Sequence, residues 1–386
     1  MVGELWGLNP RTSAGHPEGL KLDATSGTGK SRGRRRFGLH GNAGEPRDCV
    51  QPYVNAVQAP ALQDSFYGAL DLGTNNCRLL IASPAESGFQ VQDAFSRIVR
   101  LGEGMGKSGA LSEAAMARTI DALRVCSNKL VWHKVKKSRL IATEACRTAS
   151  NGLAFIARVE EETGLVLEII DRETEALLAA TGAEPLIEAG ASSALVFDIG
   201  GGSTELMWVE HSETGYKILA WTSLAAGVVT ISEQFGGGKD VTAASFAAMG
   251  TYLRPKLSEF AARVADMKSS PAIPSHLLGT SGTVTTIAGV QMGLRRYDRS
   301  RVDGSWISSA DVGRVTADLL AMSYQERMLN PCIGRERADL VMAGCAILEE
   351  IRLAFPALRI RVADRGLREG ILTQLMQDDG TYGRLS

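Results

Sequence analysis

Two stretches, DLGTNN at residues 71–76 and DIGGGSTE at residues 198–205, decide the fold of this chain of 386 residues. Each stretch lies between two short apolar runs, which predicts a strand, a tight glycine turn and a second strand. Backbone N–H groups beside glycines, together with Ser, Thr and Asn side chains, form a nest for phosphate oxygens. An aspartate precedes each turn (Asp71 and Asp198) and would repel an anion, which indicates a bridging cation. Two such hairpins facing each other would bind one phosphate from both sides.

Apolar periodicity predicts the same order of elements twice, βββαβαβα in each half. In the first half the predicted strands are 67–72, 78–83, 89–99, 138–143 and 166–170, and the predicted helices are 112–133, 150–163 and 173–184. In the second half the predicted strands are 193–198, 204–210, 216–223, 275–279 and 358–363, and the predicted helices are 227–236, 242–267, 281–292, 308–321, 334–353 and 366–377. A duplicated unit of this kind predicts an α/β fold of two lobes with a cleft between them.

The predicted domains are a disordered tail at 1–65, an N-terminal lobe at 66–185 and a C-terminal lobe at 186–386. The tail is rich in Gly, Pro, Arg and Ser and has no sustained period. The terminal helix at 366–377 could pack back on the first lobe, although spacing alone does not show it. Residues 25–31 are similar to a phosphate-binding P-loop but carry Ala24 where that motif needs glycine, so we set this reading aside.

Composition limits the partners. The net charge is −1, so an anion site must be built locally, and we expect no nucleic-acid partner. No apolar run approaches the roughly 18 residues that span a bilayer, so we expect no membrane partner. The six cysteines show no C-x-x-C spacing, which favours reduced thiols in a cytoplasmic protein.

Three further segments follow predicted strands and carry polar groups toward the expected cleft. Arg147 offers a planar fork for phosphate oxygens, although Ser150 nearby could simply cap a helix. Glu175 lies in the first turn of a predicted helix, where acidic residues are favoured in any case. The run from Gly279 to Thr283 opens another helix and is either a third anion site or an ordinary cap.

Carboxylates beside phosphate nests suit phosphoryl transfer to water, which needs a base for the nucleophile and cations on the charged oxygens. The basic segment 294–301 is better explained as a solvated loop than as an anion guide. Four other arginines compete for the guiding role: Arg335, Arg337, Arg365 and Arg368.

Taken together, these motifs resemble the exopolyphosphatase / guanosine pentaphosphate phosphohydrolase family of the actin-like ATPase-domain superfamily. The matching strings are D-L-G-T-N from Asp71, A-T-x-A-x-R-x-A-x-N from Ala142, the helix opening at Glu173, D-I-G-G-G-S-T-E from Asp198, G-T-S-G-T from Gly279 and R-A-D from Arg337. The resemblance covers about residues 66–375 and implies a ribonuclease-H/actin-like fold in both lobes. This chain has Leu177 where the family often carries arginine, and it looks like the short form that lacks a C-terminal HD-type domain.

The resemblance implies Mg²⁺-dependent release of terminal orthophosphate from inorganic polyphosphate, or of the γ-type phosphate from pppGpp, by a homodimer. It implies that Glu175 is the catalytic carboxylate that activates water and that Glu205 is a second catalytic carboxylate. The metal-associated positions are Asp71, Asp198 and Glu205. The phosphate-binding positions are Asp71, Gly73, Thr74, Asn75, Asn76, Arg147, Gly200, Gly201, Gly202, Ser203, Thr204, Gly279, Ser281, Gly282 and Thr283.

Two other classes stay open at this point. One is an ATP-dependent kinase of the same superfamily, which needs an acceptor pocket and often an aspartate base. The other is a catalytically silent phosphate sensor, which gains nothing from extra carboxylates beside its anion.

Overall fold

The computed structural model describes residues 65–213, 215–268 and 272–382, and every structural statement below concerns these ranges. Residues 1–64 of the predicted tail, which include the P-loop-like segment, lie outside them. Within them, no helix has both the length and the apolar character that crossing a membrane requires.

The first sheet has five strands: β1 (Tyr67–Leu72), β2 (Asn76–Pro84), β3 (Phe89–Ile98), β4 (Lys137–Ala142) and β5 (Glu168–Ile169). They lie in the order 3-2-1-4-5. Strand β1 pairs antiparallel with β2 and parallel with β4, so the hairpin that holds the first glycine turn lies at the centre of the sheet.

The second sheet has six strands: β6 (Ser193–Ile199), β7 (Thr204–Ser212), β8 (Gly215–Leu224), β9 (His276–Gly279), β10 (Trp306–Ser308) and β11 (Arg359–Val362). Read from one edge, the order β8-β7-β6-β9-β11 repeats the order of the first sheet. The duplication read from the sequence is therefore a duplication of topology. The added edge strand β10, only three residues long, was not predicted.

Helices cover both sheets: α1 (Met105–Ser108), α2 (Glu113–Trp132), α3 (Glu144–Thr148), α4 (Gly152–Thr163), α5 (Arg172–Ala183), α6 (Val228–Gln234), α7 (Ala243–Lys268), α8 (Gly282–Gln291), α9 (Arg299–Val302), α10 (Ser309–Ala321), α11 (Tyr324–Leu329), α12 (Val341–Ala354) and α13 (Leu367–Asp378). The short helices α1, α3, α9 and α11 were not predicted, because one or two turns leave no measurable period.

Two predicted helix starts were wrong. The helix predicted at 150–163 begins at Gly152, and Ser150 is not its cap but donates a hydrogen bond to the carbonyl of Gly109. The helix predicted at 334–353 begins at Val341, after a series of turns. In contrast, Asp171 caps α5 by accepting a hydrogen bond from the N–H of Thr174, which fixes the start of the helix that carries the predicted base.

Helix α5 lies between the two sheets. Its alanine-rich face packs in one buried cluster with Val196 and Met207 of the second sheet. On its other side, Leu178 packs with residues of the first sheet and of α13. Glycine allows α5 and α13 to touch, because a Cβ at Gly182 would lie 1.9 Å from the carbonyl oxygen of Gly366. The first turn of α5 is thereby held between the sheets.

The C-terminal helix α13 packs on the first sheet. Ile371 and Leu372 are fully buried in the cluster that contains Tyr67 and Leu80 of that sheet. The division into lobes at 66–185 and 186–386 stays a prediction, and α13 shows that chain order alone does not describe the packing.

Candidate active site

The two glycine turns are closed in the same way. In the first, the N–H of Gly73 donates to the carbonyl of Asn76 over 2.9 Å. In the second, the N–H of Gly200 donates to the carbonyl of Ser203, also over 2.9 Å. Both turns therefore have the same length and the same backbone closure.

The residues that face each other across the two hairpins differ in charge. Asp71 lies opposite Arg78 in the β1–β2 pair. At the equivalent positions, 127 residues further on, Asp198 lies opposite Glu205 in the β6–β7 pair. Opposite charges across a hairpin stabilise it and like charges destabilise it. The second hairpin accordingly concentrates negative charge that the first one neutralises.

The two turns meet face to face. A Cβ on Gly201 would lie 2.9 Å from the Cβ of Thr74 and 3.0 Å from the backbone nitrogen of Asn75. A Cβ on Gly202 would lie 2.7 Å from Thr74 Oγ1. Such separations are shorter than side chains tolerate, so the absence of Cβ atoms in the second turn lets the two backbones approach.

The carbonyl groups of the first turn are bonded away from the cleft. The carbonyl of Thr74 accepts from the N–H of Gly102, and that of Asn75 accepts from the N–H groups of Val99 and Arg100. The loop after β3 therefore fixes the orientation of the first turn.

The second turn is held in a similar way by α6. The N–H groups of Val228 and Val229, at the start of that helix, donate to the carbonyls of Gly200 and Gly201. Within the described ranges, no acceptor is bonded to the N–H groups of Thr74, Asn75, Gly201 and Gly202. Both turns thus keep donors free for an anion.

Three buried side-chain oxygens of the first turn also lack a hydrogen-bond partner among the described residues: Thr74 Oγ1, Asn75 Oδ1 and Asn76 Oδ1. Buried polar atoms in native proteins are almost always paired. Three orphaned atoms in one turn therefore indicate a ligand-binding site.

A cleft of about 960 Å³, partly open to solvent, runs between the turns. Most of the predicted site residues line it: Asp71, Gly73, Thr74, Asn75, Asn76, Glu175, Asp198, Gly200, Gly201, Gly202, Ser203, Glu205, Gly282 and Thr283. The two turns, the helix start at Gly282 and all four predicted acidic residues therefore lie around one cleft.

Four predicted phosphate-binding residues do not line the cleft. Thr204 is fully buried and donates its hydroxyl hydrogen to the carbonyl of Ala226. A Cβ on Gly279 would lie 2.6 Å from the ring of Phe197, which gives this glycine a packing role. Ser281 accepts a hydrogen bond from the N–H of Val284 and caps α8.

Arg147 is the fourth, and its side chain bonds to protein groups. It donates to the carbonyl of Ile170 over 2.7 Å, to Glu144 over 2.6 Å and to Glu175 over 3.0 Å. Its two terminal nitrogens are thus engaged, and only the buried Nε lacks a partner among the described residues.

The acidic residues raise one another's pKa. Burial and the neighbouring Asp198 raise the pKa of Glu205 to about 7. Burial raises the pKa of Asp198 to about 6, against the opposing charge of Arg78. Burial and Glu205 raise the pKa of Glu175 well above its usual range, although the bond from Arg147 favours its charged form. Perturbed carboxylates grouped in a cleft are typical of functional sites.

Arg78 was not predicted as a site residue, and Arg337 was predicted only as one of four arginines that could guide an anion into the cleft. Both line the cleft, and neither forms an ion pair within the described ranges. The signal for Arg78 was present, because it occupies the hairpin position that Glu205 occupies in the second copy. Glu144, a third lining residue that was missed, is bonded to Arg147 and Arg172.

A second cavity adjoins the cleft, and Arg337 lines both. Its other basic residues are Arg97 and Arg335. The segment 294–301 lines neither cavity. Its Tyr297 donates a hydrogen bond to Asp364, and its Arg299 donates one to Glu369. The groove beside the cleft is built from β3 and the turns before α12, and its three arginines outnumber its one carboxylate, Glu336.

The carboxylates of the cleft do not form a preformed metal site. Across the described residues, no group of three or more His, Cys, Asp or Glu side chains has the arrangement of a preformed metal cage. Mg²⁺ commonly binds through one or two carboxylates together with substrate phosphates and water, so such a cage is not required.

The fold and the site define a two-lobed α/β protein whose cleft combines free backbone donors with buried carboxylates. Residues 80–379 match the model of the Ppx/GppA phosphatase family, and the chain belongs to this family. The resemblance drawn from the motifs is confirmed, and membership of a phosphatase family confirms the expectation of a hydrolase.

Two curated relatives illustrate the range of the family. The chain is 29% identical to "Exopolyphosphatase 2" of Mycobacterium tuberculosis over 292 residues, which is 73% of this chain and 88% of that protein. It is 27% identical to guanosine-5'-triphosphate,3'-diphosphate pyrophosphatase of Vibrio cholerae over 318 residues, which is 82% of this chain but only 61% of that relative.

Solved structures show the same fold. An exopolyphosphatase from Cytophaga hutchinsonii superposes with a TM-score of 0.72 at 25% identity, covering 82% of this chain and 98% of that chain. The Aquifex aeolicus member of the Ppx/GppA family superposes with a TM-score of 0.69 at 26% identity and the same coverage. The predicted two-lobed α/β fold of the actin-like type is confirmed.

Proposed function

We propose that this protein is an exopolyphosphatase that releases terminal orthophosphate from inorganic polyphosphate in a Mg²⁺-dependent reaction. One observation carries the proposal: two facing turns present free N–H groups and orphaned polar atoms next to Glu175 and Glu205. The turns suit a phosphate, and the carboxylates suit a water molecule that attacks it.

The turns supply the phosphate-binding groups. Backbone N–H groups of both turns, with the cations of Arg78 and Arg337, neutralise the charge on the terminal phosphate. The adjoining groove, with Arg97 and Arg335, supports a substrate that continues as a polyanion. Gly282 and Thr283, at the N-terminus of α8, add donors on the far side of the cleft.

Glu175 acts as the general base. The oxygen of a water molecule bonds to the terminal phosphorus, the bond from phosphorus to the bridging oxygen breaks, and the proton of the water passes to Glu175. The raised pKa makes Glu175 a stronger base, while the hydrogen bond from Arg147 keeps it oriented and favours its ionised form. Glu205 holds the water from the opposite side.

The residues present fit a divalent cation. One or two carboxylates among Asp71, Asp198 and Glu205 would hold it, and the orphaned amide oxygens of Asn75 and Asn76 are further hard donors. A bound Mg²⁺ would neutralise charge on the transferred phosphate. Without a cation these carboxylates repel each other, as their raised pKa values indicate.

A second candidate substrate is pppGpp, since the Vibrio cholerae relative is named for this class of nucleotide. The chemistry at the terminal phosphate is the same, and a guanosine pocket is the only additional requirement. Transfer from ATP to a sugar or small acid belongs to a different class, and membership of a phosphatase family argues against it.

We extend the proposal to a cytoplasmic homodimer with lobes at 66–185 and 186–386. The five cysteines within the described ranges are free thiols, which agrees with a reducing compartment. The homodimer rests on the family resemblance.

The test is phosphate release from long-chain polyphosphate, pppGpp and ATP in parallel, with Mg²⁺ present or chelated. We expect release from polyphosphate that stops when the cation is removed. Release from none of the three, or ATP-dependent phosphorylation of a sugar, would contradict the proposal. Preferred cleavage of pppGpp would establish the second candidate instead.

The assigned base has its own test. Glu175→Gln preserves the shape of the side chain but removes the proton acceptor, so we expect kcat to fall by about 10²–10⁴. Glu173→Gln is the matched control, because Glu173 lies in the same helical turn and is exposed. Unchanged kcat in Glu175→Gln would remove this residue from the mechanism while leaving the family assignment intact.

A further inference from the structure

One ion pair joins the supports of the two glycine turns. The guanidinium of Arg100 donates to both carboxylate oxygens of Asp339 over 2.8 and 2.9 Å, and to the carbonyl of Glu336 over 3.1 Å. Arg100 lies in the loop after β3, and Asp339 lies in the turns before α12. The side chain of Asp339 is 14% exposed and that of Arg100 is 30% exposed, so solvent screens the pair only in part.

On one side, Arg100 is bound to the first turn. Its own N–H donates to the carbonyl of Asn75. Its backbone has a φ of 48°, and only one other non-glycine residue within the described ranges, Lys134, has a positive φ. Arginine has no intrinsic preference for this left-handed conformation, so the surrounding contacts must hold it there.

On the other side, Asp339 is bound to the support of the second turn. Its carbonyl accepts a hydrogen bond from the hydroxyl of Ser232 on α6. A Cβ on Gly238, just after that helix, would lie only 1.7 Å from the same carbonyl oxygen. Helix α6 is the element whose first N–H groups hold Gly200 and Gly201.

The same loop and helix meet a second time, where the N–H of Gly104 donates to Glu233 Oε1 over 2.8 Å. A continuous chain of bonds therefore leads from the first turn through Arg100, Asp339 and α6 to the second turn. Arg337, which lines the cleft, lies two residues before Asp339.

We propose that the Arg100–Asp339 pair is a clasp that positions the two turns against each other, which makes both residues positioning residues for phosphate binding. The inference rests on the proposed function for its kinetic readout but not for its structural one. The arginine fork is required because it reaches three acceptors at once, which the single ammonium of lysine cannot match in that geometry.

The experiment compares Arg100→Met, Asp339→Asn and the double variant with wild type. Arg254→Met is the matched control, because Arg254 makes an equally bidentate pair with Glu350, at 3.0 and 2.8 Å, between α7 and α12 and away from the cleft. Hydrogen exchange at the turns is followed on peptides that cover 99–102 and 228–229, whose N–H groups donate to the carbonyls of the two turns, together with KM and kcat for polyphosphate.

We expect both turns to exchange faster in each clasp variant and KM to rise about 10–100-fold with kcat changed much less, since misplaced binding groups cost about that much. The double variant should be no worse than the worse single variant, because both substitutions remove the same interaction. Arg254→Met should change neither exchange at the turns nor KM.

Unchanged exchange at both turns, additive effects in the double variant, or equal effects in Arg254→Met would overturn the clasp. If Arg100→Met fails to fold, Arg100→Lys keeps the charge and loses the fork, and it should show an intermediate rise in exchange and in KM; no rise would overturn the clasp. If wild type hydrolyses no phosphoanhydride, the proposed function fails, and exchange at the turns still decides the clasp.

Discussion

The two hairpins of this protein share a backbone and differ in the charges that face each other across it. The first pairs Asp71 with Arg78, and the second pairs Asp198 with Glu205 at the equivalent register. Arg78 partly balances burial at both aspartates, whereas Asp198 adds to burial in raising the pKa of Glu205. The comparison teaches that a duplicated turn carries different charges in its two copies, and under the proposed function the first copy binds the anion while the second faces the attacking water.

The largest expected effect tests how much the buried charge of Glu205, next to Asp198, destabilises the fold. The folded pKa of Glu205 is raised from 4.5 to about 7, so its contribution to stability is present below about pH 4.5 and is lost as the pH rises through 7. In chelator at pH 8, Glu205→Gln should therefore raise the free energy of unfolding by about 3 kcal/mol, and the difference should vanish near pH 4. Urea denaturation at both pH values measures it.

Glu173→Gln serves as the control for that experiment, because an exposed carboxylate should change stability little at either pH. A gain in Glu205→Gln that is equal at pH 4 and pH 8 would show that charge is not the cause.

The next effect tests the contact between the turns. Gly201→Ala places a Cβ against Thr74 and Asn75, so the turns must separate, and we expect kcat/KM to fall about 100-fold. Gly73→Ala is the matched change in the first turn, where the nearest atom to the new Cβ is 3.7 Å away. A similar loss in both variants would show that the turns do not depend on close approach at Gly201.

The smallest effect distinguishes a residue that stabilises the second hairpin, Thr204, from one that lines the cleft, Ser203. Thr204→Val removes the buried hydrogen bond to Ala226, so we expect unfolding stability to fall by about 1 kcal/mol while KM stays unchanged. Ser203→Ala, one residue earlier and in the cleft, should raise KM instead. Thermal denaturation and initial rates distinguish them, and a raised KM in Thr204→Val would return Thr204 to the phosphate-binding set.

Much of the site follows from local sequence. Glycine turns between apolar runs place Thr74, Asn75, Gly201 and Gly202 at the ends of two equivalent hairpins, and the duplicated order of elements predicts a cleft where such hairpins face each other. The equal length of the two hairpins also predicts Arg78 as a site residue, because it lies opposite Asp71 just as Glu205 lies opposite Asp198.

Other features depend on tertiary contacts that a linear pattern does not contain. Arg147 has the right chemistry for phosphate but pairs with Glu144 on its own helix and with Glu175 on α5, and the second of these contacts is tertiary. The left-handed backbone of Arg100 is held by contacts that include a bond to Asp339 in the second half, so neither periodicity nor propensity predicts it.

The division between the hairpins is tested most directly by steady-state kinetics of two variants at equivalent positions, Arg78→Met and Glu205→Gln, with polyphosphate as substrate. The account predicts that Arg78→Met raises KM about 10–100-fold with kcat nearly unchanged, because a charged hydrogen-bond donor to the phosphate is lost. It predicts that Glu205→Gln lowers kcat with KM nearly unchanged, because the water is no longer held for attack. The reverse assignment, or a change in the same parameter for both variants, would contradict the account.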